Sequence, residues 1–380
     1  MNWDIFCRVV DNYGDVGVCW RLARQLVAEH GVAVRLWVDD LAAFARLSPA
    51  IDLLRDTQSL AGVEVRRWRE PFADVAPGDV VIEAFACEIP ARFKDAMAAK
   101  SPTSAWINLE YLSAEKWVSG THGLPSPQPN LTKYFFFPGF VGQTGGLLRE
   151  RGLLDRRDRF QRDSLAMQAF WQSFGLALPQ KNELRVSLFC YENPALNQLL
   201  QQWSEAEIPV TCLVPAGVAA NALNVFFGAP PEVNQTFTRG NFNARTIPFL
   251  EHERYDRLLW ACDVNFVRGE DSFVRAQWAA RPFVWQIYPQ QEDAHRIKID
   301  AFLELFCADL DADCARRVRS FWQGWNGAGL APTDWYDFME SRADIASQVS
   351  RWSGKLARQP DLATALVDFT NDLLKYRVST

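Results

Sequence analysis

The chain has 380 residues, more than one ordinary hydrophobic core accommodates and enough for two domains. Hydrophobic residues make up 48% and charged residues 23%, as in a globular protein, and a formal net charge of −6 argues against general nucleic-acid binding, which needs a basic stripe to displace counterions. The four scattered His and the eight Cys without a CxxC pair make a His- or Cys-built metal site a poor expectation.

The opening "MNWDIFCRVV" lacks the features of a signal peptide, and no apolar run approaches the roughly 18 residues of a membrane span. The expected location is the cytoplasm, with no membrane and no nucleic-acid partner. The 15 Trp and 26 Phe are expected mainly in core packing.

Short apolar runs alternate with helical periods, which predicts βα units and mostly parallel sheets. In the first half the strand candidates are Ile5–Val10, Ala33–Val38, Val63–Arg67, Val80–Glu83, Ser104–Asn108 and Tyr134–Pro138. A helix over Val18–Glu29 puts Cys19, Leu22 and Leu26 on one face, and Gly31 stands where a helix commonly ends. The glycine-rich stretch Gly139–Leu154 reads as a loop, and the basic run Arg149–Arg162, with acids interleaved, as a solvated helix or linker face.

After a helix over Arg162–Phe174 the pattern restarts. Strands are expected at Leu184–Cys190, Val210–Pro215, Arg245–Pro248, Asp263–Val267 and Phe283–Gln286. Helices are expected at Ala195–Ser204, Tyr255–Ala261, Ser272–Ala280 and Asp293–Phe306. A last amphipathic helix, Leu362–Tyr376, sets Leu366, Phe369 and Leu373 on one stripe. The fold class is therefore α/β, two βα domains in tandem with the boundary near 150–180 and a trailing helix.

In open parallel sheets, ligands bind beyond the carboxyl ends of strands, and the chemistry-bearing stretches lie at such ends. The first is "DNYGDVGVCWRLARQL", Asp11 to Leu26. It is not a GxGxxG fingerprint, so it gives little support to dinucleotide binding. A turn and a cap would explain Gly14 and Asp15, but not Asp11 together with Asp15. Two carboxylates at a helix start suit electrostatic capture of a cationic acceptor, since the helix end favours their ionised form.

The second stretch is "NFVRGEDSFVRAQWA", Asn265–Ala279, where a helix start with Arg268, Gly269 and Ser272 offers an anion site. The acids Glu270 and Asp271 beside it would suit sugar hydroxyls, although a plain cap with incidental acids also fits. Further strand ends carry Tyr191 in "SLFCYENPAL" and Phe249 in "TIPFLEHERYDRLLWACD". A third, "PFVWQIYPQQEDAH", shows Tyr288, Gln290, Gln291 and Glu292. "DLDAD", residues 309–313, mimics a calcium loop but has Cys314 where the sharp-turn glycine belongs, so a charged turn is the better reading. The pair Asp39 and Asp40 is expected to cap a helix.

With these stretches in place, the chain closely resembles the bacterial protein-arginine rhamnosyltransferases that modify elongation factor P, over essentially its whole length. The resemblance is carried by "DNYGDVGVCWRLARQL", "FCYENPAL", "IPFL", "YDRLLWACDVNFVRGEDSFVRAQWA" and "PFVWQIYPQ". It implies a GT-B glycosyltransferase, two Rossmann-like domains facing a central cleft. Residues 1–160 would bind the acceptor and hold a catalytic Asp, 180–355 would bind the nucleotide sugar, and 356–380 would form a helix packing back on the first domain.

The implied reaction is inverting transfer of rhamnose from dTDP-β-L-rhamnose to an arginine of elongation factor P, activating that factor for proline-rich stretches. No metal or other cofactor is implied. By the same resemblance Asp15 is the base with Asp11 beside it, and Glu270 is a second catalytic carboxylate. Asn12, Tyr13, Gly14 and Asp15 would approach the donor sugar, and Tyr191, Phe249, Leu250, Arg268, Gly269, Glu270, Asp271 and Ser272 would contact the donor. Residue spacing alone stops at a two-domain α/β enzyme for a phosphorylated ligand. It leaves open another sugar-nucleotide enzyme of this fold, an epimerase or a small-molecule glycosyltransferase, or a non-catalytic nucleotide-sugar-binding protein.

Overall fold

In the computed structural model, residues 1–11, 13–288, 294–331 and 334–378 are described, and they divide into two units. The first comprises Met1–Arg151 and Leu356–Thr380, the second Gly152–Lys355. Among the described residues no helix is long and apolar enough to cross a membrane.

The first unit runs β1 (Asn2–Cys7), α1 (Gly14–His30), β2 (Ala33–Val38), α2 (Leu41–Leu47), β3 (Thr57–Leu60), β4 (Val63–Arg67) and β5 (Val80–Ala84). It continues with α3 (Ala91–Ala99), β6 (Ala105–Leu109), α4 (Val118–Thr121), β7 (Pro125–Gln128) and β8 (Leu131–Phe136). Its sheet order is β3-β4-β2-β1-β5-β6-β8-β7, with β3 and β7 antiparallel edges on a parallel interior. Interior strands such as β1 and β5 are apolar on both faces, as a sheet covered on both sides requires.

Two carboxylates are admitted to that interior, Asp4 on β1 and Glu83 on β5. Asp4, fully buried, accepts from Trp37 Nε1 at 2.9 Å, Arg35 Nη2 at 2.7 Å and the Gly78 amide at 2.7 Å, so its carboxylate is satisfied. The aromatic residues fill the core as expected: Phe6, Trp37, Trp68, Phe72, Phe93 and Trp106 form one cluster. Helix α1 ends at Gly31, whose φ of +64° lets its amide return to the Leu26 carbonyl. Asp40 caps α2 through the amides of Ala42 and Ala43.

Strand β1 stops at Cys7 although the apolar run continues to Val10. The amide of Val9 is taken by Asp39 Oδ1 and that of Val10 by Asp15 Oδ2, so two carboxylates claim amides a neighbouring strand would have used. This bends the chain into the first candidate loop.

The second unit runs α5 (Leu153–Arg162), α6 (Ser164–Gln172), β9 (Leu184–Leu188), α7 (Leu196–Ser204), β10 (Val210–Pro215), α8 (Ala220–Phe227), β11 (Thr236–Arg239) and β12 (Phe242–Ile247). Then come α9 (His252–Ala261), β13 (Val264–Arg268), α10 (Asp271–Ala279), β14 (Phe283–Gln286), α11 (Ala294–Phe306), α12 (Ala312–Gln323), α13 (Asp334–Glu340) and α14 (Arg342–Ala357). Its sheet order is β11-β12-β10-β9-β13-β14, with only β11 antiparallel to its neighbour among the described strands. The "DLDAD" run forms a helix start: Asp311 caps α12 through the amides of Asp313 and Cys314.

Helix α9 is locked to α10 by a buried ion pair, Arg275 Nε to Asp256 Oδ1 at 2.9 Å and Nη2 to Oδ2 at 2.7 Å. The final helix α15 (Leu362–Val378) belongs to the first unit. Gln25 Nε2 on α1 donates to Asp361 Oδ1 at 2.9 Å just before α15, and Phe369 on α15 packs on Phe136, His122 and Tyr134.

Candidate active site

In the first unit the loop after β1 is organised by one carboxylate. Asp15, in the first turn of α1 and only 3% exposed, turns back to accept from the amides of Val10 and Asp11, both at 2.8 Å on Oδ2. The helix begins without a side-chain cap at Tyr13, so Asp15 ties the preceding loop rather than capping α1. The Tyr111 side chain also hydrogen-bonds it.

Burial pushes the Asp15 carboxyl above the usual carboxylate range, and the charge of Asp11 adds to this. The amides of Asp11 and Val10, and then Tyr111, act in the opposite direction. The Gly14 amide donates to the Asp11 carbonyl at 2.6 Å, and a Cβ there would stand 2.6 Å from Asp11 Oδ2, so a larger residue would push that carboxylate aside. Tyr13 receives Arg46 Nη1 on its hydroxyl at 3.2 Å. Asp11 is half-buried, so the loop shows one acid to solvent and encloses the other. Asn12 lies outside the described residues.

In the second unit the loops after β9 and β13 leave adjacent strands. The Arg268 guanidinium lies over Phe189 at 4.5 Å and over Tyr191 at 4.4 Å. Phe249 meets Phe189 at 6.2 Å and Tyr288 meets Tyr191 at 5.4 Å, both edge-on. Gly269 has a φ of +57°, a conformation that favours glycine, and its carbonyl accepts from Trp285 Nε1 at 2.7 Å.

Helix α10 begins at Asp271 with Glu270 in the cap position and no side-chain cap. Its start is therefore an N-terminal anion site in form, with Arg268 adding positive charge nearby. Ser272 is buried, and its hydroxyl is engaged with the backbone of Arg268, donating to the carbonyl and accepting from the amide at 3.0 Å. It ties the strand end to the helix. Leu250 is buried, whereas Tyr191, Phe249, Arg268, Glu270 and Asp271 are half-buried. Gln290, Gln291 and Glu292 lie outside the described residues. Among the described residues no group of three or more His, Cys, Asp or Glu side chains is placed to hold a metal ion.

Comparison with known proteins decides the family. The sequence model of "Elongation-Factor P (EF-P) rhamnosyltransferase EarP" matches residues 3–371. The chain belongs to the EF-P rhamnosyltransferase family. It is 51% identical to the protein-arginine rhamnosyltransferase of Pseudomonas aeruginosa over 375 residues, 98% of this chain and 100% of that one. It also matches a solved structure described as the structural basis for EarP-mediated arginine glycosylation of translation elongation factor EF-P. That match has a TM-score of 0.69 and 37% identity, over 98% of this chain and 99% of the other. A glycosyltransferase from Rickettsia africae, with a TM-score of 0.53 at 7% identity and 99% and 97% coverage, shares the fold alone.

Membership of the rhamnosyltransferase family makes the chain a glycosyltransferase, and its two units are those of the GT-B fold. Within each unit the structure brings residues together that the sequence reading singled out: Asp11, Tyr13, Gly14 and Asp15 in one, Tyr191, Phe249 and Arg268–Ser272 in the other. Sequence reasoning missed Trp285 and Gln286 on β14. Gln286 Oε1 accepts from the Tyr191 amide at 2.8 Å and Trp285 holds Gly269. The available signal was a polar residue ending an otherwise apolar strand. It also missed Phe85 and Tyr111, which follow β5 and β6.

Proposed function

We propose that this member of the family transfers rhamnose from dTDP-β-L-rhamnose to an arginine of elongation factor P, with inversion and without a metal, in the cytoplasm. The second unit binds the donor and the first supplies the base. The observation that carries the reading is Asp15: a carboxylate buried at the carboxyl end of a parallel strand, raised in pKa, and oriented by two backbone amides.

Guanidinium needs such help, because its charge is delocalised and it is protonated at any physiological pH. Asp11 and Asp15 together can hold it in a bidentate fashion and align one nitrogen with the anomeric carbon. That nitrogen forms the new bond to C1 of rhamnose, the C1–O bond to the diphosphate breaks, and the electron pair leaves with dTDP. The proton released from nitrogen passes to the Asp15 carboxylate. A raised pKa suits this duty, since a base closer to neutral holds the proton better once it arrives.

In the second unit, the start of α10 and Arg268 bear on the departing diphosphate. Phe249 and Tyr191 offer faces to the base, and Glu270 and Asp271 accept hydrogen bonds from the sugar hydroxyls. The deciding experiment is intact-mass spectrometry of elongation factor P after incubation with the protein and dTDP-rhamnose. One added deoxyhexose on arginine is expected. Consumption or epimerisation of the donor without an acceptor product would overturn the reading.

A further inference from the structure

Three loops leave the carboxyl edge of the first unit's sheet side by side, because β1, β5 and β6 are consecutive neighbours there. The loop after β1 carries Asp11 and Asp15. The loop after β5 opens with Phe85, and the loop after β6 with Glu110 and Tyr111. The rings of Phe85 and Tyr111 stack with centroids 4.6 Å apart and planes 18° from parallel. Both residues are half-buried, and the Tyr111 side chain hydrogen-bonds Asp15.

Holding Phe85 there needs an unfavourable backbone. Phe85, Ala86 and Glu88 have φ of 56°, 52° and 55°, in the left-handed region that residues with a Cβ avoid. The loop is held in that shape from beneath. The Phe85 amide donates to the Leu109 carbonyl at 2.7 Å and the Glu88 amide to Glu83 Oε1 at 3.0 Å. Glu83 is itself buried and fixed by Trp106 Nε1 at 3.1 Å and Lys133 Nζ at 3.3 Å. The strained backbone therefore sets an aromatic ring on Tyr111, the residue that hydrogen-bonds Asp15, while other residues of the same loop, Cys87 and Ile89, join the core cluster.

We propose that Phe85 and Tyr111 form an aromatic wall for the acceptor guanidinium, and that the Tyr111 hydroxyl is a positioning residue for the Asp15 carboxylate. The inference rests on the arginine-transfer reading and deepens it. A planar guanidinium lies flat on an aromatic face while its in-plane N–H groups donate bidentately to carboxylates, a geometry that the compact ammonium of lysine cannot reproduce. The wall thus selects arginine over lysine. The Tyr111 hydroxyl supports the ionised form of Asp15, countering its burial.

The test uses the full chain with elongation factor P and dTDP-rhamnose. Phe85→Leu should raise the acceptor KM and the Kd for elongation factor P measured without donor, each about tenfold, while donor Kd stays constant. Tyr111→Phe keeps the ring and should leave acceptor KM in place. It should lower kcat and move the acid limb of the pH profile to higher pH, because the carboxylate has lost a donor. If Phe85→Leu melts at the assay temperature, Phe85→Tyr carries the test: it must bind the acceptor as the unsubstituted protein does, and weakened binding would overturn the wall. Unchanged acceptor binding in a folded Phe85→Leu protein, or an unmoved acid limb in Tyr111→Phe, would also overturn the inference. Should the unsubstituted protein turn nothing over, Phe85-dependent acceptor binding would still uphold the wall and only the transfer reading would fall.

Discussion

The loops after β1 and β13 share one plan, a parallel strand giving way to a helix start, yet they treat charge in opposite ways. After β1 the acid Asp15 is drawn inward, 3% exposed, and held on backbone amides. After β13 the cation Arg268 stays half-exposed, spread over the rings of Phe189 and Tyr191. Under the proposed function the inward acid, raised in pKa, serves as the base, and the cation spread on aromatic faces serves the anion site.

Exchanging the inward acid for its amide strikes that contrast hardest. Asp15→Asn should reduce turnover by about 10²–10⁴-fold, with donor Kd unchanged by calorimetry. Because burial raises the Asp15 pKa on folding, its protonated form is the better folded one. The stability this group contributes is present at acidic pH and lost as pH rises through the folded pKa. Asp15→Asn should therefore melt higher than the unsubstituted protein near neutral pH, with the gap closing as pH falls.

Next in size, Arg275→Leu removes the bidentate partner of the buried Asp256 and should cost about 3–5 kcal/mol of stability by chemical denaturation. Donor binding should fall with folding there, whereas the acid loop has no such dependence. Glu270→Ala, at the helix mouth, should lower donor affinity and turnover together, each by about tenfold, in steady-state kinetics. Phe249→Ala should weaken donor binding by roughly 1–3 kcal/mol, the worth of one base stack, with kcat at saturation retained. At the small end, a chelator should leave turnover unchanged; loss of activity restored by a divalent cation would refute the metal-free reading.

Much of both loops was legible because carboxylates and glycines at a strand–helix junction are costly unless used. Interior strands were legible too, with Ala33–Val38, Val63–Arg67 and Val210–Pro215 found at their observed limits. The parallel edge strand Phe283–Gln286 was found as well, but the antiparallel edges were not. β3 and β7 are short and polar, and β7 holds Pro125 and Pro127, which suit only an edge. The sequence reading also does not anticipate α8 or α12 to α14. The true end of β1 was hidden, since nothing in an alternation pattern reveals that distant Asp39 takes the amide of Val9. Phe85 and Tyr111 lie far along the chain from Asp15, and only the sheet order β1-β5-β6 makes them its neighbours.

The return of α15 makes the first unit discontinuous, Met1–Arg151 with Leu356–Thr380, whereas Gly152–Lys355 is one unbroken stretch. Gln25 pairs with Asp361, and the ring of Phe369 covers Phe136, Tyr134 and His122. A cut ahead of Leu356 would thus strip packing from the unit that carries the acid loop while leaving the other unit's stretch whole.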